Sequence, residues 1–298
     1  MSDRTLGILL GLAASALWAS VFVVGRYATA VRGVDPILTA AVRFSVGAAA
    51  AVVYLALAGR WRRLMSASRD LGPLAALGAV GIFGMGVLVF ISTNLTTSIN
   101  GALILNANAI FIAVFALLVG ERVPAIRFIG LIIGLAGCAV TVMGRTPPQP
   151  VPVVNNLLGS LAALGGAICW AAYTVAGKPY VRRHGGPEAA TVTLVFGAVL
   201  LIALTFILRS PMALRLPEAL SIIYLGVLPT TVAMLMWYRA LELVDASALG
   251  PTQYVAPPGA TLLGWALLGE PLSWTFVAGA VAIIGGVYLA TRPARPPA

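Results

Sequence analysis

The chain has 298 residues, 60% of them hydrophobic and 9% charged, with a mean hydropathy of +0.99. A soluble domain carries about 25% charged residues, so this chain cannot cover a water-facing surface; a single soluble core, a disordered chain and a secreted disulfide scaffold are all excluded. The formal charge of +10 suggests a nucleic-acid binder only until the arginines are placed. Cys138 and Cys169 lie inside apolar runs without metal-ligand spacing, and both read as small packing residues. Composition points to a polytopic membrane protein.

A helix needs about 20 apolar residues to cross the hydrocarbon core. In chain order that length gives ten spans, at 5–25, 37–58, 72–92, 99–119, 126–144, 157–177, 189–208, 217–238, 247–268 and 273–291. The runs lack the period-two alternation of a membrane barrel, so the fold class is all-α. Arg4 ahead of an apolar stretch imitates a signal peptide, but a near-copy of this segment occurs inside the chain.

Lys and Arg in the connections set the orientation. With the N-terminus inside, 13 of them fall on the cytoplasmic side (from Arg4 through Arg60–Arg69, Lys178 and Arg182 to Arg295). Five fall outside: Arg26, Arg32, Arg145, Arg209 and Arg215. Both termini are therefore expected in the cytoplasm, and the basic balance reports topology rather than nucleic-acid binding.

The sequence repeats itself. Leu6-Gly7, Leu9, Leu12, Trp18-Ala19, Val23 and Gly25 recur as Leu158-Gly159, Leu161, Leu164, Trp170-Ala171, Val175 and Gly177. Ser98–Glu121 and Ser247–Glu270 have equal length, and each ends in Gly-Glu. Residues 1–145 and 157–298 thus read as two five-helix repeats joined by the Pro/Asn linker 146–156. Five is odd, so the second copy enters the membrane inverted, which is the architecture of alternating-access carriers.

These residues resemble the ten-helix, EamA-type branch of the drug/metabolite transporter superfamily, over roughly residues 5–291. The resemblance rests on the W-A-S/A-x-x-V-x-G element of spans one and six and on the two Gly-Glu elements. The pattern looks closest to the YddG-type aromatic amino acid exporters, which implies export of neutral, chiefly aromatic, amino acids. Where the family often has a proline in span four, this chain has Asn106-Ala107-Asn108. The second half keeps Pro257-Pro258, so the two halves are expected to bend differently.

Several residues are candidates for the substrate pathway. Trp18 and Phe22 share a face of span one, Trp170 and Tyr173 a face of span six, and Phe83 and Phe90 lie along span three. Trp18 and Trp170 sit mid-span at matching positions, and flat π-faces there would suit an aromatic side chain. Trp237 and Tyr238 close span eight and read as an interfacial belt. Asn106, Asn108, Gln253 and Tyr254 can donate and accept to a zwitterion, with interhelical hydrogen bonding as the structural alternative. Asn94 and Asn100 belong to the same polar cluster, Asn100 as a structural group.

Arg43 is the one formal charge well inside a span, read either as snorkelling or as a carboxylate contact. Gly25 and Gly177, which end the two Trp helices, and Pro229 and Pro257, which kink spans eight and nine, are candidate hinges. No Asp, Glu or His lies mid-membrane, and Glu121 and Glu270 at helix junctions read as structural. That absence removes an enzyme and favours an uncoupled facilitator.

The expected protein is a monomeric exporter of small metabolites in a bacterial inner membrane. It needs no cofactor or metal; its partners are a small-molecule substrate and the bilayer. The alternatives are a proton-coupled exporter of purines or amphiphilic drugs, and a non-selective channel.

Overall fold

The computed structural model describes residues 2–96, 98–143, 155–268 and 272–292. The described residues are helical almost throughout and contain no strand. In chain order the helices are α1 (Asp3–Arg26), α2 (Pro36–Leu57), the short α3 (Trp61–Ala67), α4 (Leu71–Gly78), α5 (Met85–Leu95), α6 (Ser98–Asn106), α7 (Asn108–Leu118) and α8 (Ala125–Met143). The second half holds α9 (Asn156–His184), α10 (Gly186–Ile207), α11 (Leu216–Leu225), α12 (Ala233–Leu243), α13 (Ala246–Leu249), α14 (Ala256–Leu268) and α15 (Trp274–Thr291).

Local chemistry sets the starts. Ser2, Asp35, Asn155 and Ser273 each accept a hydrogen bond from a backbone N–H of the following first turn, and Pro36 opens α2. Two π-helical segments join consecutive helices into longer rods, Ala79–Gly84 between α4 and α5 and Gly226–Val232 between α11 and α12. Among the described residues eight helical stretches are long and apolar enough to cross a membrane, and Ala125–Thr141 is a shorter apolar one. Their outer faces carry exposed Leu118, Ile207, Leu216 and Ile284, a surface that water would not tolerate and lipid does.

Two expected boundaries move. The sixth span was expected to end at Gly177, but α9 continues unbroken to His184. Lys178, expected in a connection, is therefore inside a helix and buried. The eighth span, expected to stop at Tyr238, runs to Leu243. In both cases the first charged residue beyond the apolar run, Lys178 or Arg239, finds an acidic partner, so the helix need not stop where hydropathy falls.

Glycine lets these rods approach. On α8, Gly130, Gly134 and Gly137 face Gly279 and Gly286 on α15 at backbone distance; a Cβ built on Gly286 would sit 2.5 Å from the Gly134 nitrogen. The two π-segments are crossed in matching fashion by the opposite half. Gly47 of α2 lies against Thr230 and Gly226, while Gly197 of α10 lies against Ile82. The main core fills the space between α1, α2, α9, α10 and α12, with Leu55, Leu194 and Trp237 fully enclosed. A second core joins α7, α8 and α15 around Leu131, Cys138, Tyr254 and Ile283.

The glycine contacts make a local prediction. Gly286→Ala should destabilise the purified protein by about 1–3 kcal/mol through backbone overpacking. Gly285→Ala, one residue away and facing open space, should not lower the melting temperature.

Candidate functional site

Three tryptophans meet in the main core, Trp18 from α1, Trp170 from α9 and Trp237 from α12. Trp18 stands edge-on to Trp170 at 5.3 Å and 87°, and tilted against Trp237 at 5.2 Å and 54°. Trp170 and Trp237 close the triangle at 6.1 Å. Tyr173 continues the cluster 5.5 Å from Trp170, and Tyr238 lies 5.2 Å beyond Tyr173. Such spacings suit aromatic pairs, each worth about 0.5–1.5 kcal/mol beyond burial. Trp170 and Trp237 are buried, Trp18 half-buried.

The polar atoms of the cluster are unevenly satisfied. Tyr173 Oη shares a 2.8 Å hydrogen bond with Thr193 Oγ1. The indole Nε1 atoms of Trp170 and Trp237 are buried without an acceptor. A buried donor left unpaired costs about 1–3 kcal/mol.

The sequence-derived candidates divide. Trp18, Trp170 and Tyr173 come together. Trp237 and Tyr238 join them and are not an interfacial belt: both are 0% exposed, because α12 continues past them and turns them toward α1 and α9. The signal available in the sequence was Leu241 and Leu243 continuing the apolar face beyond Arg239. Phe83 packs against the main core, and Phe90 is half-buried. The side chains of Phe22, Asn94 and Asn100, and residue Glu270, lie outside the described residues.

Asn108 and Gln253, from opposite halves, do meet: Asn108 Nδ2 donates to Gln253 Oε1 at 3.2 Å, leaving Asn108 Oδ1 and Gln253 Nε2 buried without partners. Asn106 turns back on its own helix and donates to the Ala102 carbonyl. Tyr254 is fully buried in the second core against Gly134, apart from the tryptophans. Gly177 lies in mid-helix, where a Cβ would sit 2.9 Å from Tyr238 Oη, whereas Gly25 meets only its own helix. Pro229 lies in the π-segment Gly226–Val232, and Pro257 follows the 3-10 segment Gly250–Val255 that interrupts α13 and α14.

Arg43 donates through Nε to Thr230 Oγ1 at 2.7 Å, and its guanidinium lies 5.0 Å from the Phe44 ring centroid. Among the described residues no carboxylate stands close enough to neutralise it. An open cavity of about 290 Å³ lined by Arg32, Arg215 and Glu218 shares no residue with the tryptophan cluster.

A polar seam gathers many helix ends on one side. Gly120, at φ +85°, turns the chain out of α7 and returns Glu121 to its end. The Glu121 carboxylate accepts from Lys178 Nζ at 2.6 Å, from the Ala246 and Ser247 amides, and from Ser247 Oγ. Lys178 also reaches Asp245 at 2.8 Å. Buried Arg127 donates to Ser247 Oγ at 2.5 Å and to the Ala290 carbonyl, and Arg4 reaches the Thr291 carbonyl. Arg60 pairs with Glu188, and Asp70 with Arg183 and His184.

The first Gly-Glu element thus binds the other half, through Lys178 and the Ala246 and Ser247 amides of α13. The His184 hydrogen bond, with the Arg183 charge, holds the Asp70 carboxyl below its ordinary range against the opposing effect of burial. Its contribution to stability is present at neutral pH and is lost as pH falls through that depressed value, below about 4.

The model of the EamA-like transporter family matches residues 5–143 and, a second time, residues 157–292. The chain belongs to this family. A solved crystal structure superposes with a TM-score of 0.85 at 26% identity, covering 97% of each chain. The aromatic amino acid exporter YddG of Ancylobacter novellus is 29% identical over 98% of this chain and 99% of its own. A probable terminal-alkyne amino-acid exporter of Streptantibioticus cattleyicolor is 26% identical over 93% of this chain and 94% of its own. The EamA-like chain is a multi-pass transmembrane transporter, and the relatives named are exporters rather than enzymes.

In this EamA-like transporter Lys178 is the joint of the seam. Lys178→Met leaves the Glu121 carboxylate, 10% exposed, without its cation, and breaking such a pair costs about 3–5 kcal/mol. The melting temperature should fall well below that of Arg183→Gln, whose side chain is 65% exposed. The double variant Lys178→Met/Glu121→Gln should recover part of the loss.

Proposed function

We propose that this transporter exports neutral amino acids, chiefly aromatic ones, as an uncoupled facilitator. Ten spans form two inverted five-helix halves that alternate access to a site between them. Both termini lie in the cytoplasm of a bacterial cell, and the chain works as a monomer in the inner membrane. The observation that carries this reading is the meeting of Trp18 with Trp170 and Trp237, one indole from the first repeat and two from the second.

A ring inserted at this triangle would stack on faces contributed by both halves, and the two indole N–H groups would gain an acceptor. Thr230, which holds Arg43, is seven residues from Trp237, about 10 Å along the helix at 1.5 Å per residue. On this reading the ring lies on the tryptophans and the carboxylate is received by the guanidinium. The Asn108–Gln253 pair offers an acceptor and a donor without a net charge, the polarity that a zwitterion requires. Two relatives bearing amino-acid exporter names support the same substrate class.

For alternation, the polar seam is read as the closed cytoplasmic gate. Glu121 and Arg127 of the first half hold Lys178, Ser247 and Ala290 of the second, and opening inward would part them. Segments 83–90 and 102–107 are half-buried on every face, as helices bordering an outward cavity would be. Facilitated diffusion follows from the absence of a carboxylate or histidine in the middle of the spans.

The test is flux of labelled phenylalanine and tryptophan through purified protein in liposomes, with and without a pH gradient. Saturable flux that ignores the gradient is expected. Trp18→Ala, Trp170→Ala and Trp237→Ala should each raise KM by about tenfold, roughly one aromatic contact, and Arg43→Gln by tenfold or more. Trp265→Ala, at an exposed position, should leave KM unchanged. Absence of flux from folded protein would refute the substrate class, and gradient-driven flux would refute the uncoupled mechanism.

A further inference from the structure

The connection between α2 and α4 carries a surface that transport does not use. Both flanking helices are membrane-crossing by length and composition, so α3 is held at the membrane boundary. Its Leu64 and Ala67 are buried in the main core against α9 and α10, which fixes the helix in place. Trp61 and Met65, four residues apart on another face, are 47% and 48% exposed. Arg62 and Arg63 project from the same seven-residue helix and are exposed, as are Arg69 just beyond it and Arg182 on α9.

The acids of this region are already engaged. Glu188 holds Arg60 at 2.8 Å, and Asp70 holds Arg183 at 2.9 Å and His184 at 2.7 Å. Among the described residues Arg62, Arg63, Arg69 and Arg182 have no acidic partner within ion-pair distance. Four guanidinium groups without an ion-pair partner, Arg182 among them with only the more distant charge of Asp245, thus lie on α3, just beyond it and on the α9 it packs against, and α3 itself carries an exposed indole and thioether.

We propose that α3 with Arg62, Arg63, Arg69 and Arg182 is a docking surface for anionic phospholipid. Guanidinium groups match phosphate oxygens bidentately. Trp61 takes the interfacial position that indoles favour, and Met65 faces the upper acyl chain. A soluble acidic protein would find the same charge, but it would have to cover the indole and thioether at the level of the lipid. The complementarity in both charge and depth selects the lipid. The proposal is independent of the transported substrate.

Native mass spectrometry of the full-length protein in detergent tests this, with palmitoyl-oleoyl phosphatidylglycerol and the matching phosphatidylcholine titrated side by side. Wild type should retain phosphatidylglycerol in preference, and 1 M salt should weaken the preference. Arg62→Gln, Arg63→Gln and Arg69→Gln should each lower it by about fivefold, and Arg182→Gln, on a different helix, by a similar factor. Trp61→Ala should weaken both lipids alike. Arg209→Gln, exposed in the connection between α10 and α11, should change nothing. Equal retention of the two lipids by wild type would overturn the proposal. So would a preference that survives the Arg62/Arg63/Arg69 triple substitution, or one that Arg209→Gln reduces as much, since net charge alone would then account for it.

Discussion

Hydrocarbon offers no water to an unpaired peptide group, so every departure from a regular helix must be satisfied from within the protein. Pro229 shows how this constraint works through the fold. It has no N–H for the Leu225 carbonyl, and the neighbouring Thr230 hydroxyl donates to that carbonyl at 2.8 Å instead. Thr231 does the same for Gly226 at 3.0 Å and also reaches the Gly47 carbonyl on α2 at 2.8 Å. The Thr230 oxygen that repairs the kink is also the one that accepts from Arg43. A helix defect, a close helix crossing and a buried cation are therefore a single arrangement.

The crossings depend on the same economy of contact. Between lipid-bathed helices there is little hydrophobic drive to associate, and close van der Waals approach has to provide the attraction. Gly47 against the π-segment of the second half and Gly197 against that of the first place the widened turns where each half meets the other. The α8–α15 contact, by contrast, runs along regular helices with glycine on both sides. It reads as a rigid edge, while the π-segments lie beside the aromatic cluster and the buried arginine.

Much of this was legible in the sequence. The spans follow from apolar length, and the repeat from Trp18-Ala19 against Trp170-Ala171. The matching places of Trp18 and Trp170 were legible in that repeat, but their contact with each other and with Trp237 was not. Hydropathy ended α9 at Gly177 and α12 at Tyr238, because it scores Lys178, Arg239 and Glu242 as solvated. In the fold Lys178 has Glu121 and Asp245, and Arg239 and Glu242 hold each other across one helical turn. Those partners lie far along the chain or depend on a helix already being present, so no local window contains them. The misplacement of Trp237 and Tyr238 has this single cause, as does the unforeseen role of Glu121 in binding the other half.

On the proposed reading, the two ends of the molecule carry unequal numbers of bonds. At the seam, Glu121 alone receives four donors, and Lys178, Arg127, Arg60 and Asp70 add further contacts between elements. Among the described residues the opposite end is joined by Arg32 and Glu218, 2.6 Å apart. A transporter whose gates were equally bonded would have no reason to rest in one state; this distribution favours the form closed at the seam. The substrate then has to offset that difference. Its means of doing so lie at the tryptophan triangle, where two unpaired indole donors and faces from both halves leave interactions unmade until a ligand arrives. Binding energy gained where the halves meet can be set against ion pairs lost where they part, which is the coupling that alternating access needs without a proton.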